Sequence, residues 1–313
     1  MSQALSQPEV IITHDADLDG LTSGLLLVRL AKKIFGKKVP LQAWGYEGLA
    51  RRPMGEKAAW VCDLNFDKRM DKPGWLIIDH HETPNHPEKA QFIHDTTKSA
   101  GTLCYELCKE HGIESPKLDR LVHLNNVADL YHEDDPDFTL ATDYAQLVKS
   151  YGFWNLKALI EDQLEPLLDH PLLDVIKVKR EIETPIGRDW SRKKVEQITP
   201  DLGYVPISVG NINAIVHELL QADDIPYKVL MTMFKKAKGP VLASFRSRNG
   251  EALPIAKKLQ GGGHPNACGA TLPSSVRNIW DAVDYLKSTL NPKPKKDAPL
   301  NNLEALFDGL DVK

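Results

Sequence analysis

Along the first half of the chain, short apolar runs alternate with stretches of helical period. Residues 10–12, Val-Ile-Ile, form a β-branched run that breaks off into His14-Asp15-Ala16-Asp17-Leu18-Asp19-Gly20. The apolar run that follows, residues 21–30, is too long for an ordinary strand, so the pattern predicts strand, tight loop and helix. That helix is expected over residues 20–35 and is closed by Gly36. Further strands are expected at 39–44, 58–62 and 75–78. Their near-continuous apolar character suits strands covered on both faces. Ala100, Leu103, Cys104, Leu107 and Cys108 recur with helical period up to Gly112. Ser115 then offers an N-cap with Pro116 behind it, for a helix whose packed face carries Leu118, Leu121, Val122 and Asn125 and continues to Asp129.

From about Tyr151 to Gln197 the pattern stays helical but is interrupted by Pro166, Pro171 and Pro185. Beyond Pro200 a new unit begins: a strand at 205–209, a helix carrying Ile212, Ile215, Val216, Leu219 and Leu220, strands at 227–234 and 241–245, and a closing helix at 276–290. The expected fold class is α/β. A mainly parallel sheet flanked by helices fills residues 1–150, a helical linker follows at 151–199, and a smaller α/β domain occupies 200–290. Residues 291–313 read as a linker-like tail with a short amphipathic segment, containing Leu303, Leu306 and Phe307, that docks on its own chain or on a partner.

Composition narrows the class. A chain of 313 residues suggests two domains, and 42% hydrophobic with 26% charged residues is ordinary for globular proteins. A net charge of −4 argues against a broad nucleic-acid-coating surface, although a local basic groove remains compatible with it. Cys62, Cys104, Cys108 and Cys268 show neither disulfide nor zinc spacing, which suits a reducing compartment. No signal peptide or membrane span is visible, and a cytoplasmic location is expected.

The chemistry gathers where strands end. Asp15, Asp17 and Asp19 follow the first strand, Asp63 the third, and Asp79-His80-His81 the fourth. The carboxyl ends of parallel strands are where open sheets place their sites. Clustered acids repel one another unless a cation neutralises them. Oxygen donors favour Mg²⁺ or Mn²⁺, and added histidines shift the balance toward Mn²⁺. Each piece alone also fits a blander reading: a solvated acidic loop, a core histidine beside an exposed one, or a surface acid at a helix end. Taken with Asp129, two metals sharing one bridging carboxylate become the simpler account. In the second half, Gly261-Gly262-Gly263 offers backbone N–H groups to an anion, or else a helix C-cap. His264 and Asn266 add donors. Arg246 and Arg248, at spacing two, suit a phosphate or a base, or else an exposed edge strand.

These residues resemble the DHH phosphoesterase family, whose triplet stands here as Asp79-His80-His81. Asp15-Ala16-Asp17-Leu18-Asp19-Gly20 is similar to its first motif in the RecJ branch, Asp63-Leu64-Asn65 to the second, and Val127-Ala128-Asp129-Leu130 to the fourth. Ser99-Ala100-Gly101-Thr102 resembles the helix start after the triplet. Gly261-Gly262-Gly263-His264-Pro265-Asn266-Ala267 resembles the signature of the associated DHHA1 domain, and Ser244-Phe245-Arg246-Ser247-Arg248 the strand before it.

The resemblance implies two Mn²⁺ ions, or Mg²⁺ in their place. Asp15, Asp17 and Asp63 would hold one, and Asp19, Asp63, His80 and Asp129 the other, with Asp63 bridging. Asp79 would orient His80, and His81 would face the phosphate. Many members carry histidine where Thr13 stands, so either His14 or Asp15 completes the first site, with Asp15 favoured by the spacing. The implied activity is hydrolysis of phosphodiester or phosphomonoester bonds in short oligonucleotides or small nucleotides by a metal-activated hydroxide. Arg246, Arg248, Gly261, Gly262, Gly263, His264 and Asn266 would hold the substrate in a cleft between the two domains. Alternatives are a RecJ-like single-stranded DNA exonuclease, for which the chain is short of an added oligonucleotide-binding domain, hydrolysis of cyclic dinucleotides, and a metal-free scaffold. A homodimer and a partner for the tail are further expectations.

Overall fold

Why the first strands are solidly apolar is clear from what covers them. In the computed structural model, which describes residues 5–235 and 239–291, β1 (Val10–His14), β2 (Leu41–Trp44), β3 (Ala59–Cys62), β4 (Leu76–Asp79) and β5 (Gln91–His94) form one sheet in the order β2-β1-β3-β4-β5. Every pairing in it is parallel. The pleat sends Ile11, Trp60, Cys62, Leu76 and Ile78 to one side, against α1 (Leu18–Phe35), α3 (Ala100–Glu110) and α4 (Pro116–Asp129). Val10, Ile12, Ala59, Val61 and Ile77 pack on the other side with Leu49, Leu64, Met70 and Trp75. Truncating a fully buried side chain such as Ile11 to Ala should cost about 2–5 kcal/mol. The short α2 (Tyr46–Arg51) follows β2, and α5 (Phe138–Tyr151) and α6 (Phe153–Leu159) follow α4.

The capping follows the sequence rules. Asp17 caps α1 by accepting from Gly20 N, Ser99 caps α3 and Ser115 caps α4. Gly36 closes α1 in the left-handed region at φ 68°. Several elements escaped the sequence pattern, among them β5, α2 and α5. β5 is only four residues long, half-buried, and flanked by polar residues, because an edge strand needs little covering. α2 is too short to show a period.

The chain divides into two compact units, Met1–Arg188 with Val209–Ile215, and Asp189–Ser208 with Val216–Lys313. The stretch expected as a linker contains α6 and the long α7 (Leu172–Arg192). In the second unit, β6 (Glu196–Thr199), β7 (Leu202–Tyr204), β8 (Val229–Lys235), β9 (Val241–Ser247), β10 (Gly262–His264) and β11 (Ala267–Thr271) form a mixed sheet in the order β10-β11-β9-β8-β7-β6. Among the described strands of this sheet, only β7 and β8 pair in parallel; the other pairings are antiparallel. The strand expected at 205–209 is instead β7, three residues earlier, and residues 205–209 run as irregular chain into α8 (Ile212–Leu220). Here Val205 N still bonds Met231 O, so the apolar signal was real but the ladder ends early. α9 (Ala252–Lys258) and α10 (Ile279–Leu290) pack into the core of this unit. The amphipathic run at 302–310 lies outside the described residues. Among those described, no helix is long and apolar enough to cross a membrane.

Candidate metal centre

All five strands of the first sheet run the same way, so His14, Asp63, the Asp79–His81 triplet and His94 emerge at one edge. The chain turns sharply after β1. A Cβ on Gly20 would lie 2.2 Å from the His14 carbonyl oxygen, so only glycine lets α1 start this close to the strand. That turn buries Asp19 at the base of the site and leaves Asp17 half-buried above it.

Asp19 is the most firmly held of the acids. Its Oδ2 accepts from Ala100 N (2.9 Å), and its Oδ1 accepts from Gly101 N (2.7 Å) and Asn125 Nδ2 (2.5 Å). The first turn of α3 thus directs free N–H groups at a carboxylate, as helix N-termini favour. A Cβ on Gly101 would stand 2.6 Å from Asn125 Nδ2 and 2.9 Å from Asp19 Oδ1.

Asp63 follows β3 in the left-handed region, at φ 54°, a conformation that Asp tolerates better than most residues. This turns the carboxylate inward, where it is 2% exposed. Its Oδ2 lies 3.7 Å from His14 Nδ1, and its Oδ1 lies 3.6 Å from His80 Nε2. His80 Nε2 also stands 3.7 Å from Asp19 Oδ2 and 3.3 Å from Asp129 Oδ2. Two donor groups result, His14 with Asp17 and Asp63, and Asp19 with His80 and Asp129. Asp63 lies against both.

Electrostatics follow from this crowding. Burial, then the charges of Asp17 and Asp19, push the Asp63 carboxyl well above the ordinary carboxylate range. Burial, then Asp19, Asp63 and Asp17, do the same to Asp129. For His14, burial disfavours the charge, yet Asp17, at 2.8 Å, and Asp63 push it up to about 11. Burial likewise opposes ionisation of Asp17, but His14 and the Gly20 N–H hold its carboxyl below the ordinary range.

A metal fits these residues. Asp63 Oδ2 and Asp129 Oδ2 are buried and accept no hydrogen bond among the described residues. Buried carboxylate oxygens of this kind need a cation or a proton. Mixed imidazole and carboxylate donors suit Mn²⁺ and neighbouring divalent ions.

Two details differ from the expectations drawn from the motifs. Asp15 is exposed beside Gly45 and belongs to neither group, whereas His14 stands within one. Asp79 Oδ1 accepts from His81 Nδ1 at 2.7 Å, so Asp79 orients His81 rather than His80. Burial disfavours charge on His81, but the Asp79 carboxylate raises its pKa above the ordinary value. Sequence reasoning also passed over two polar contacts. Asn125 was read as part of a packed helix face, and its spacing from Asp129 was the available signal. Tyr46, whose ring centroid is 5.1 Å from that of His14 and whose hydroxyl donates to Asn65 Oδ1, carried no signal at all.

In the second unit, Gly262–His264 is a strand of the β10–β11 hairpin. The helix before it is closed by Gln260, at φ 59°, so Gly261 is not its left-handed cap. Gly261 instead packs where a Cβ would lie 2.1 Å from Gly269 O. Arg246 is half-buried on β9, and its Nη1 donates to Phe245 O at 3.1 Å. Arg248 falls just past the strand and donates to Leu220 O. Asn266 Oδ1 accepts from Ser247 Oγ and Gly250 N, which ties the hairpin to the β9–α9 turn.

A parallel sheet whose carboxyl edge carries two histidine–carboxylate groups around one shared acid is built to hold divalent cations, as metal-dependent α/β enzymes do. The particular family follows from the sequence. Residues 9–131 match the DHH family, N-terminal domain, and residues 204–291 match the DHHA1 domain, so the chain belongs to the DHH/DHHA1 phosphoesterases. No curated protein matches it by sequence. Among solved structures it is similar to the pGpG-specific phosphodiesterase PggH of Vibrio cholerae, with TM-score 0.52 and 16% identity over 90% of this chain and 99% of that one. RecJ of Thermus thermophilus in complex with Mn²⁺ is similar at TM-score 0.55 and 14% identity, over 91% of this chain and 52% of that one. An exopolyphosphatase-related protein of Bacteroides fragilis is similar at TM-score 0.50 and 14% identity, over 91% of this chain and 94% of that one.

Proposed function

We propose that the protein hydrolyses phosphodiester bonds of short oligonucleotides or small nucleotides with two divalent cations, Mn²⁺ by preference. The observation that carries this reading is Asp63, whose two oxygens approach the two histidine–carboxylate groups separately. His14, Asp17 and Asp63 would hold one ion, and Asp19, Asp63, His80 and Asp129 the other. When bound, such ions lower the pKa of water and stabilise charge on phosphoryl oxygens. The protein's own residues do the rest. Asn125 and the first N–H groups of α3 fix Asp19 in place. Asp79 keeps the His81 Nδ1–H engaged and favours its charged form, which suits a donor to a phosphoryl or leaving oxygen. Arg246, His264 and the Gly262–Gly263 backbone supply groups for a second phosphate or a base.

Short substrates are favoured because the net charge is −4 and long strands require a basic, aromatic groove. The likeness to PggH, a phosphodiesterase specific for pGpG, points the same way. The test is a turnover panel with Mn²⁺: linear dinucleotides, oligonucleotides of increasing length, a cyclic dinucleotide and 3′-phosphoadenosine 5′-phosphate. kcat/KM should be highest on the shortest linear substrates. Processive degradation of long single-stranded DNA in preference to them would replace this reading with the exonuclease one.

A further inference from the structure

Strand β2 ends beside the first donor group and delivers an aromatic ring there. It pairs with β1 in a register that sets Trp44 against His14, so the two chains leave the sheet side by side at its carboxyl edge. Gly45 follows, close to Asp15, where a Cβ would lie 3.3 Å from Oδ1. Tyr46, the first residue of α2, then lays its ring against His14, with centroids 5.1 Å apart and planes at 44°. Asp63, Asp79, Asp17 and Asp129 are all near enough to act electrostatically on its hydroxyl, so the side chain borders the metal centre.

Tyr46 is nonetheless 46% exposed. A single exposed tyrosine needs no explanation in itself, but this one is held at both ends. His14 braces the ring, and the hydroxyl donates to Asn65 Oδ1 at 3.3 Å, two residues beyond Asp63. A ring fixed in this way offers its open surface with little further loss of rotamer freedom on binding. Its hydroxyl is already engaged, so the part left for a ligand is the aromatic face. That face suits a planar base rather than a second phosphate, since every nucleobase has a π-face to stack.

We propose that Tyr46 is the base platform of the active site. The nucleobase next to the phosphate held at the metal centre stacks on its ring, and purines are preferred over pyrimidines because they cover more of it. This rests on the nucleotide-hydrolase reading above and deepens it. Tyr46 sets specificity in this account and moves no proton.

Isothermal titration of the Mn²⁺-loaded full chain with guanosine 5′-monophosphate, cytidine 5′-monophosphate and ribose 5-phosphate tests this, because the three differ in the base. The wild type should bind guanosine monophosphate about 5- to 100-fold more tightly than ribose 5-phosphate, with cytidine monophosphate between them. Tyr46→Leu keeps an apolar cover over His14 but removes the aromatic face. It should reduce the advantage of the base to about twofold or less, while affinities for Mn²⁺ and ribose 5-phosphate stay close to wild type. Tyr46→Phe should retain most of the advantage. A wild type with no preference for guanosine monophosphate, or a preference that survives Tyr46→Leu, overturns the platform. Equal loss of ribose 5-phosphate and guanosine monophosphate in Tyr46→Leu also overturns it and leaves the ring a brace for His14. Failure of the hydrolase reading is seen separately: the wild type would leave linear dinucleotides intact while its base preference still depended on Tyr46.

Discussion

Asp63 divides its two carboxylate oxygens between two histidines, with Oδ2 3.7 Å from His14 Nδ1 and Oδ1 3.6 Å from His80 Nε2. Among the described residues no other acid of the site lies against both donor groups, which gives this position a distinctive mutational signature. Asp63→Asn should reduce turnover by at least roughly 100-fold. Its metal-free form should be as stable as the wild type or more so, since the exchange removes a buried, repelled carboxylate, and Asn also tolerates the left-handed backbone. Activity assays paired with melting curves check this. An inactive variant that also melts earlier would reduce the residue to a structural role.

His14 and Asp15 compete for one role and are separable. His14→Ala should lower Mn²⁺ affinity about 10- to 100-fold, while Asp15→Ala, at an exposed position, should change it little. Isothermal titration with Mn²⁺ gives the ranking directly. The reverse ranking would return the first site to Asp15.

Stability of the metal-free protein should fall as pH rises. His14 is raised from 6.5 to about 11, so its contribution is fully present below 6.5 and is lost as pH rises through its folded value. Asp63 and Asp129 are raised acids, so the folded state binds their protons more tightly and is penalised once they ionise. Asp17 and Asp79 are depressed, and what they contribute is lost only below the ordinary carboxylate range. Differential scanning fluorimetry in chelator should therefore show a melting temperature that declines above pH 6.5. Saturating Mn²⁺ should raise the curve and flatten it, because a ligand that binds only the folded state stabilises it. Equal slopes with and without metal would separate these residues from the metal.

The contact between α3 and Asp19 sets a packing prediction. Gly101→Ala would force a methyl group against Asn125 and Asp19 and should cost about 1–3 kcal/mol. Asn125→Ala should cost about 1–3 kcal/mol through the lost bond to a buried carboxylate. Both should weaken Mn²⁺ binding beyond any change in folding, which denaturation and metal titration together would reveal.

The second unit predicts a split between binding and chemistry. Arg246→Ala and His264→Ala should raise KM for oligonucleotides with little change in kcat, the mark of lost uniform binding. Hydrolysis of bis-p-nitrophenyl phosphate, which offers no second group to hold, should be nearly unaffected. An equal loss on both substrates would place these side chains in the catalytic machinery or in folding.

The apolar strands, their caps and their acidic ends could be read in the sequence because period, capping and turn chemistry are local properties. β1, α1, α3 and α4 stand close to where those rules put them, and the residues delivered at the strand ends, Asp15 apart, are the ones that gather. What lay beyond sequence was direction and neighbourhood. The rotation of Asp63 at φ 54° decides that one acid faces two groups. The turn at Gly20 swings His14 in and leaves Asp15 out, although the two are adjacent in the chain. Asp79 chooses His81 over His80 by side-chain geometry that a triplet of letters does not encode. Asn125 reaches Asp19 across 106 positions because α1, α3 and α4 pack on the same face of the sheet, and only the folded chain brings those faces together.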